Sequence, residues 1–194
     1  AYFISTIEEN QHFGLFRLSD DYLSAVEYTE LFKWQSREAP AIVREGDTYF
    51  MMFSACSGWD PNQASFSWSK SLTSGWSSRT NIGNSVAYDT QAASILTIKG
   101  SEGTSYVYVG DRWQDPGLAE SKTILFPISF KNNTITFNYV PRFDMNLPTG
   151  QCRTTGMTHL VSKEGWKVRA CSSEETSSEN GASSNAIDGR TDTK

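Results

Sequence analysis

The sequence predicts an all-β protein built from repeated four-stranded antiparallel units. Short runs rich in Tyr, Phe, Val, Ile and Thr alternate with Gly, Asn, Asp and Ser, and no long run has helical periodicity. These runs recur in the same order with a period of roughly 50 residues. With 194 residues, of which 13% are aromatic, the chain is able to bury a core. A four-stranded unit of this period is typical of a β-propeller blade.

Two complete units can be aligned along the chain. The first consists of a predicted strand at 39–46 and further strands at 48–56, 65–72 and 75–79. The second consists of predicted strands at 91–100, 105–113, 122–130 and 134–140. The N-terminal segment repeats the last three strands of a unit without the first. Because a ring needs at least about four blades, we expect residues 1–150 to be the C-terminal blades of a larger propeller.

The composition changes after residue 150. We expect residues 151–166 to form a linker, and residues 167–194 are dominated near their end by Ser, Asn, Thr and Gly. Composition alone leaves two interpretations open for this last segment, a disordered tail or the beginning of another module.

Charge and composition exclude several classes of function. The net charge of −5 without a basic cluster disfavours a nucleic-acid partner, because such binding depends on Lys and Arg neutralising phosphates. No apolar run reaches the roughly 20 residues needed to cross a bilayer, so we expect no membrane partner. Cys56, Cys152 and Cys171 lack the spacing of a zinc site and allow one disulfide and one free thiol. The single glycosylation sequon, Asn132-Asn133-Thr134, is compatible with a secreted protein.

Glu38 and Gln91 are the candidate catalytic residues. They precede or open the first strand of successive units, and in a propeller the entrances of these strands converge on the central channel. Cleavage of a glycosidic bond needs a proton donor, and a carboxylic acid in a partly apolar pocket can supply it. Glu38 is the candidate acid, although it could instead form an ordinary surface pair with Arg37. The Gln91 amide does not titrate near neutrality, so it would position a water or bind a sugar hydroxyl, unless it only makes hydrogen bonds at a strand end.

Aromatic and polar residues after the second strand of each unit suggest a sugar site. Indole rings stack on the C–H faces of pyranoses, while carboxylates, amides and guanidinium groups bind the hydroxyls. The motifs "SGWDPN" and "GDRW" supply both kinds of residue, whereas Trp68 and Trp76 are better explained by packing between blades. The candidate substrate-binding residues are Arg37, Ser57, Trp59, Asp60, Asn62, Asp89, Arg112 and Trp113.

Four motifs resemble those of glycoside hydrolase family 43, in particular its exo-β-1,3-galactanase branch. They are "LSDDYLS", "REAPAIVREGDTYFMMFSACSGWDPNQA", "YDTQAASIL" and "GDRW", which occur in this order within about residues 1–150. The resemblance implies a five-bladed propeller and an inverting mechanism without a catalytic cofactor. It assigns the general acid to Glu38 through the "EAP" motif. It also gives Gln91, in "YDTQ", the water-activating role of the base, through an imidic tautomer of the amide.

The C-terminal segment resembles the start of a discoidin module, also called coagulation factor type C, which is a β-sandwich of the jelly-roll class. The resemblance rests on "KVRACSSEETSSENGASSNAIDGRTDTK". It implies a structural calcium ion held by Asp188 and Thr193, with Asp192 as a further candidate. Carboxylate, hydroxyl and carbonyl oxygens in a tight loop are ligands that suit calcium.

We therefore expect a secreted glycoside hydrolase that releases galactose from β-1,3-galactan, a polysaccharide or oligosaccharide substrate. Two alternatives remain. The first is an arabinofuranosidase or xylosidase of the same family. The second is a noncatalytic carbohydrate-binding fragment, which the incomplete set of blades favours for the isolated chain.

Overall fold

The computed structural model describes residues 1–154, 167–169, 171 and 182–184. The chain separates into two compact units, Ala1–Thr155 and Gly156–Lys194. Within the described residues, thirteen strands lie in the first unit. They are β1 (Tyr2–Ile7), β2 (His12–Leu18), β3 (Ala25–Leu31), β4 (Glu38–Glu45), β5 (Thr48–Ser54), β6 (Ser65–Ser69), β7 (Thr80–Asn81), β8 (Gln91–Lys99), β9 (Thr104–Arg112), β10 (Lys122–Lys131), β11 (Thr134–Phe137), β12 (Phe143–Asn146) and β13 (Gln151–Thr154).

The strands form four antiparallel sheets in chain order. The sheets are β1–β2–β3, β4–β5–β6–β7, β8–β9–β10–β11 and the two-stranded β12–β13. One 3-10 helix, Leu118–Glu120, lies between β9 and β10. The prediction of an all-β chain is confirmed, and both complete four-strand units of the sequence are present as four-stranded sheets. One predicted strand is wrong: residues 75–79 lie outside β7, because Gly75 adopts a left-handed conformation and the indole of Trp76 turns back to donate to the Leu72 carbonyl.

Strand β5 shows how the alternation of side chains builds the core. Met51 and Phe53 point to one face and pack with residues of the three-stranded sheet, such as Phe13. Phe50 and Met52 point to the other face and join a larger cluster shared with the second four-stranded sheet. Successive side chains of a strand point to opposite faces, so one strand with apolar residues at every position binds two neighbouring sheets together. Full burial of each such side chain contributes about 1.5–3 kcal/mol.

Tyr108 lies at the centre of the larger cluster and has no solvent exposure. Its hydroxyl is 2.9 Å from the hydroxyl of Thr90, which satisfies the one polar atom of the ring at this depth. Burial raises the pKa of Tyr108 to about 12. Burial and the contact with Glu45 likewise raise the pKa of Tyr106 to about 12.

The β12–β13 hairpin is attached to the turn between β8 and β9. The Ser101 amide donates to the Pro148 carbonyl at 3.0 Å, and the Glu102 amide donates to the Thr149 carbonyl at 3.0 Å. Gly100 makes this approach possible, because a Cβ there would lie 2.0 Å from the amide nitrogen of Gly150. Residues 151–154, expected to begin a linker, form strand β13 of the first unit.

The predicted calcium ligands Asp188, Asp192 and Thr193 lie outside the described residues, as does most of the predicted discoidin segment. Within the described part of the chain, no cluster of three or more His, Cys, Asp and Glu side chains is placed to hold a metal ion. All three cysteines fall in the described part, and each carries a free thiol. Among the helices of the described residues, none is long and apolar enough to span a membrane.

Candidate functional site

Glu38 and Gln91 are the first residues of β4 and β8, the first strands of the two four-stranded sheets. Both strands begin with the same irregularity, since the pairing register shifts between Glu38 and Ala41 and between Ala92 and Ser94. A β-bulge of this kind redirects a side chain that regular pairing would fix. The two equivalent positions therefore both lie beside a bulge, and the bulge in β4 also contains Ala39 in a left-handed conformation.

The backbone just before Gln91 is strained. Ala87, Tyr88 and Asp89 all adopt left-handed conformations, with φ of 47°, 58° and 58°. A non-glycine residue in this region costs about 1 kcal/mol or more, and such residues cluster at functional sites. Arg112 stabilises this turn, because its guanidinium donates to the carbonyls of Tyr88 and Asp89 at 2.9 and 3.2 Å.

The side chains of Glu38 and Gln91 are in direct hydrogen-bond contact although 53 residues separate them in the chain. Gln91 Nε2 donates to Glu38 Oε1 at 2.9 Å and to the Ser54 hydroxyl at 3.0 Å. Trp113 Nε1 donates to Gln91 Oε1 at 2.9 Å. An indole nitrogen only donates and an ionised carboxylate only accepts, so the two contacts together fix which end of the amide faces which partner.

Two further residues contact Glu38. Ser54, the last residue of β5, is buried, and its hydroxyl donates to the Glu38 carbonyl at 3.4 Å. Asn10 Nδ2 donates to Glu38 Oε2 at 3.3 Å. Asn10 reaches the site from the β1–β2 turn, where it adopts a left-handed conformation and its carbonyl accepts a hydrogen bond from the Arg37 amide at 3.0 Å. The three-stranded sheet thus contributes to a site otherwise built by the two four-stranded sheets.

Sequence reasoning missed Asn10 and Ser54. Ser54 can be identified from the strand pairing, because the antiparallel register places it opposite Glu38. Nothing in the sequence marks Asn10, because its contact with Glu38 depends on how the three-stranded sheet packs beside β4.

A pair of tryptophans forms one wall of the site. The rings of Trp59 and Trp113 lie 5.0 Å apart in an edge-to-face arrangement, and Trp59 is 48% exposed. Beside them is a cavity of about 40 Å³. The predicted site residues that line it are Trp59, Asp60, Asn62, Asp89, Gln91 and Trp113. Ser54, Thr90 and Asp111 complete its polar lining.

Ser57 and Asn62 shape the loop that carries Trp59. Asn62 Oδ1 accepts a hydrogen bond from the Ala55 amide at 3.0 Å. Asn62 Nδ2 donates to the Ala55 carbonyl at 2.9 Å and to the Ser57 hydroxyl at 2.6 Å. The Ser57 hydroxyl in turn donates to the Asp60 carbonyl at 2.6 Å. These side chains are committed to holding the loop, so the exposed Trp59 ring and the Asp60 carboxylate are the groups it presents to a ligand.

Arg37 lies away from this cavity, although it is adjacent to Glu38 in the chain. Its side chain is 3% exposed and packs against the rings of Phe32 and Phe53. Among the described residues it forms no ion pair with Glu38, so the surface pair considered from the sequence is not formed. It lines a separate groove.

The site can hold a proton-donating carboxyl, an amide fixed against it and an aromatic surface for a sugar ring. The Glu38 carboxyl and the Gln91 amide are in direct contact, so no ligand atom fits between them. An inverting glycosidase keeps its acid and base roughly 6.5–9.5 Å apart to leave room for a water molecule. The 2.9 Å contact between Gln91 and Glu38 is much shorter. A separation of that size between Glu38 and Gln91 would require this hydrogen bond to break.

Comparison with known proteins finds similarity among solved structures. No protein-family model and no curated protein sequence matches the chain. An exo-β-1,3-galactanase from Clostridium thermocellum is 36% identical with a TM-score of 0.76, over 79% of this chain and 34% of that one. An exo-β-1,3-galactanase from Phanerochaete chrysosporium, with β-1,3-galactotriose, is 27% identical with a TM-score of 0.72, over 79% of this chain and 35% of that one.

A β-1,3-galactosidase of glycoside hydrolase family 43 is also similar, at 29% identity and a TM-score of 0.67, over 71% of this chain and 30% of that one. The chain spans about a third of the length of these three structures. The similarity, in sequence as well as in fold, supports a relationship of this chain to the exo-β-1,3-galactanases of glycoside hydrolase family 43.

Proposed function

We propose that this chain is the C-terminal part of the five-bladed propeller of an inverting glycoside hydrolase that releases galactose from β-1,3-galactan. The observation that carries the proposal is the contact of Glu38 with Gln91 beside the Trp59–Trp113 wall. It joins a proton-donating group, a polar amide and a sugar-stacking surface in one place. The names of the similar structures, one of which includes β-1,3-galactotriose, support this choice of substrate.

Glu38 acts as the general acid in this proposal. Gln91 donates a hydrogen bond to Oε1, so the transferable proton of Glu38 resides on Oε2. Asn10 is the group that contacts Oε2, at the long distance of 3.3 Å, so this oxygen remains available to the leaving glycosidic oxygen. Protonation of that oxygen accompanies cleavage of its bond to the anomeric carbon.

Gln91 orients the attacking water. Substrate binding separates Gln91 from Glu38 and admits the sugar between them, with the water on the Gln91 side of the anomeric carbon, opposite Glu38. As the water oxygen bonds to the anomeric carbon, the water proton passes to Gln91 Oε1. Nε2 then releases a proton to solvent, which leaves Gln91 in its imidic form, and Glu38 regains its proton from solvent once the product has left. The imidic form returns to the amide by proton exchange with solvent.

The test uses the complete natural polypeptide that contains this chain. It is incubated with β-1,3-galactan, an aryl arabinofuranoside and an aryl xyloside, beside the variants Glu38→Gln and Glu27→Gln. Glu27 is a matched control, because it is an exposed carboxylate paired with Arg17 on the surface. We expect galactose from the galactan, first formed as the α-anomer by NMR, and loss of roughly 10²–10⁴-fold in kcat for Glu38→Gln alone.

Each part of the proposal has its own contrary result. Release of arabinose or xylose instead of galactose would assign the substrate to the other branch of the family. A first-formed β-anomer would contradict inversion. Sugar binding without turnover would support the noncatalytic alternative, which the limited coverage of the similar structures favours for the isolated chain.

We also propose that the protein is secreted. Asn132, the acceptor position of the sequon, is exposed in the two-residue turn that connects β10 and β11, so a glycosyltransferase can reach it. A mass shift on treatment with an N-glycosidase, absent in Asn132→Gln, is the expected result. The calcium ion implied for Asp188, Asp192 and Thr193 is proposed on the sequence resemblance alone, and calorimetric titration of the natural polypeptide with calcium tests it.

A further inference from the structure

A groove of about 800 Å³ lies apart from the candidate active site, within the first unit. It is lined by the segments 30–37 and 73–79 and shares no lining residue with the cavity beside Trp113. Its size is in the range of known ligand sites, about 300–1,000 Å³. Apart from the binding role expected for Arg37, the sequence predicts no function for this part of the molecule.

The groove is positively charged in a chain whose net charge is −5. Its ionisable lining residues are Glu30, Lys33, Arg37 and Arg79. Glu30 and Lys33 form an ion pair and offset each other. Arg37 and Arg79 have no carboxylate partner among the described residues, so two positive charges remain uncompensated on one surface.

Arg37 is the more unusual of the two. Its Nε and Nη1 atoms are buried and have no hydrogen-bond partner among the described residues. Its guanidinium lies 4.5 Å from the Phe32 ring centre and 4.1 Å from that of Phe53. Burial and the nearby charge of Arg79 lower the pKa of Arg37 to about 10, which leaves it charged at neutral pH. A buried charge without a counter-ion is costly, and an anion that reached it would relieve that cost.

A neutral group now occupies the position where a counter-ion is expected. Arg37 Nη2 donates to the side-chain carbonyl of Gln35, which is an exposed residue. A carboxylate in its place would make charge-assisted hydrogen bonds with Arg37, since the planar guanidinium matches a planar carboxylate. The exposed Arg79 would contribute a second positive charge. The two aromatic rings already hold the Arg37 guanidinium in position for this exchange.

The remaining lining indicates what carries the carboxylate. Four hydroxyl side chains and one indole face the groove: Thr73, Ser74, Ser77, Ser78 and Trp76. Hydroxyl groups both donate and accept hydrogen bonds, as sugar hydroxyls do, and an indole offers an apolar surface to a pyranose ring. We propose that this groove binds a carboxylate-bearing sugar, a uronate, with Arg37 and Arg79 on its carboxylate. The choice of a sugar over an acidic peptide rests on the proposed function, which makes an acidic branch of the polysaccharide the natural ligand.

The experiment measures binding rather than hydrolysis. Methyl glucuronide and methyl galacturonide are titrated into the complete natural polypeptide by calorimetry and by NMR, beside the matching neutral methyl glycosides. The variants are Arg79→Gln, Arg37→Gln and the control Arg44→Gln, whose side chain stacks on Tyr49 outside the groove. Arg79 is exposed, so its variant keeps the test valid even if Arg37→Gln does not fold.

We expect a uronate to bind at least about tenfold more tightly than its neutral counterpart, and Arg79→Gln to remove about tenfold of the affinity. Arg44→Gln should bind as the unsubstituted protein does. Equal binding of the neutral sugars, or unchanged affinity in Arg79→Gln, would overturn the proposal. So would an acetylated acidic peptide that binds as tightly as the uronate.

The result is separable from the fate of the proposed function. Uronate binding without release of galactose would preserve the groove site and refute the activity. Release of galactose without uronate binding would support the proposed activity and refute the groove site.

Discussion

Replacement of Trp113 by Phe tests whether the orientation of Gln91 matters for catalysis. The substitution keeps an aromatic ring against Trp59 and removes the N–H that donates to Gln91 Oε1 at 2.9 Å. Without this donor, the amide is free to turn over and place Oε1 against Glu38. An oxygen there faces another acceptor, so the ordered arrangement of Glu38 and Gln91 is lost.

The size of the effect follows from the contact that is removed. An acceptor left without its partner in a half-buried site costs about 1–3 kcal/mol. If this cost falls on the catalytic step, kcat decreases by about 5- to 150-fold. KM should change by less than about threefold, because the ring that lines the cavity remains aromatic.

The assay compares kcat and KM of the natural polypeptide and its variants on β-1,3-galactobiose. Trp59→Phe is the matched comparison within the same wall: its indole N–H makes no hydrogen bond with the described residues, so kcat should fall much less than in Trp113→Phe. The decisive measurement is a double-mutant cycle with Gln91→Ala. In that background Trp113→Phe should have almost no further effect on kcat, because the two residues act through one contact. A full effect of Trp113→Phe in the absence of Gln91, or none in its presence, would refute the reasoning.

Three further predictions concern the core, the hairpin and the acid. Tyr108→Phe removes a phenol whose pKa burial raises to about 12. The raised pKa means that folding favours the protonated phenol, so between pH 10 and 12 the unsubstituted protein should lose about 3 kcal/mol more unfolding free energy than the variant, in urea titrations. Gly100→Ala should lower the free energy of unfolding by about 1–3 kcal/mol and speed amide hydrogen exchange in β12–β13. Gly103→Ala should do neither, because the space around Gly103 is open. Asn10→Ala removes the contact with Glu38 Oε2 and should lower kcat about fivefold at unchanged KM. An unchanged kcat would limit Asn10 to a structural role.

The sequence allowed the strands to be predicted because their pattern is local. Alternation of apolar and polar side chains marks a strand wherever it lies, and the repeat of four strands identified β4 and β8 as equivalent. The equivalence led to the expectation that Glu38 and Gln91 project toward each other, and their side chains are in contact. The strand prediction that failed depends on the conformation of a single turn. The strand expected at 75–79 is lost to a left-handed glycine and a tryptophan that turns back, neither of which interrupts the pattern of residue types.

The separation of Arg37 from Glu38 shows a second limit of the sequence. Arg37 immediately precedes β4, and whether its side chain reaches solvent or the interior depends on Phe32, which follows β3, and on Phe53 of β5, because its guanidinium contacts both rings. No local pattern records that packing. The same holds for Asn10, whose contact with Glu38 depends on the docking of the three-stranded sheet.

The direct contact of Glu38 with Gln91 has a consequence for how a substrate would be admitted. Gln91 makes three hydrogen bonds, two through Nε2 and one through Oε1. A sugar that separates it from Glu38 must replace one of these, while the Ser54 and Trp113 contacts can persist if the movement comes from the Glu38 side. The bulge at the start of β4 makes that side the more adaptable, because Ala39 is left-handed and the register resumes only at Ala41. On the proposed function, substrate binding therefore displaces the acid and leaves the amide fixed. A galactose complex in which the Gln91–Trp113 bond is broken and Glu38 is unmoved would contradict this order.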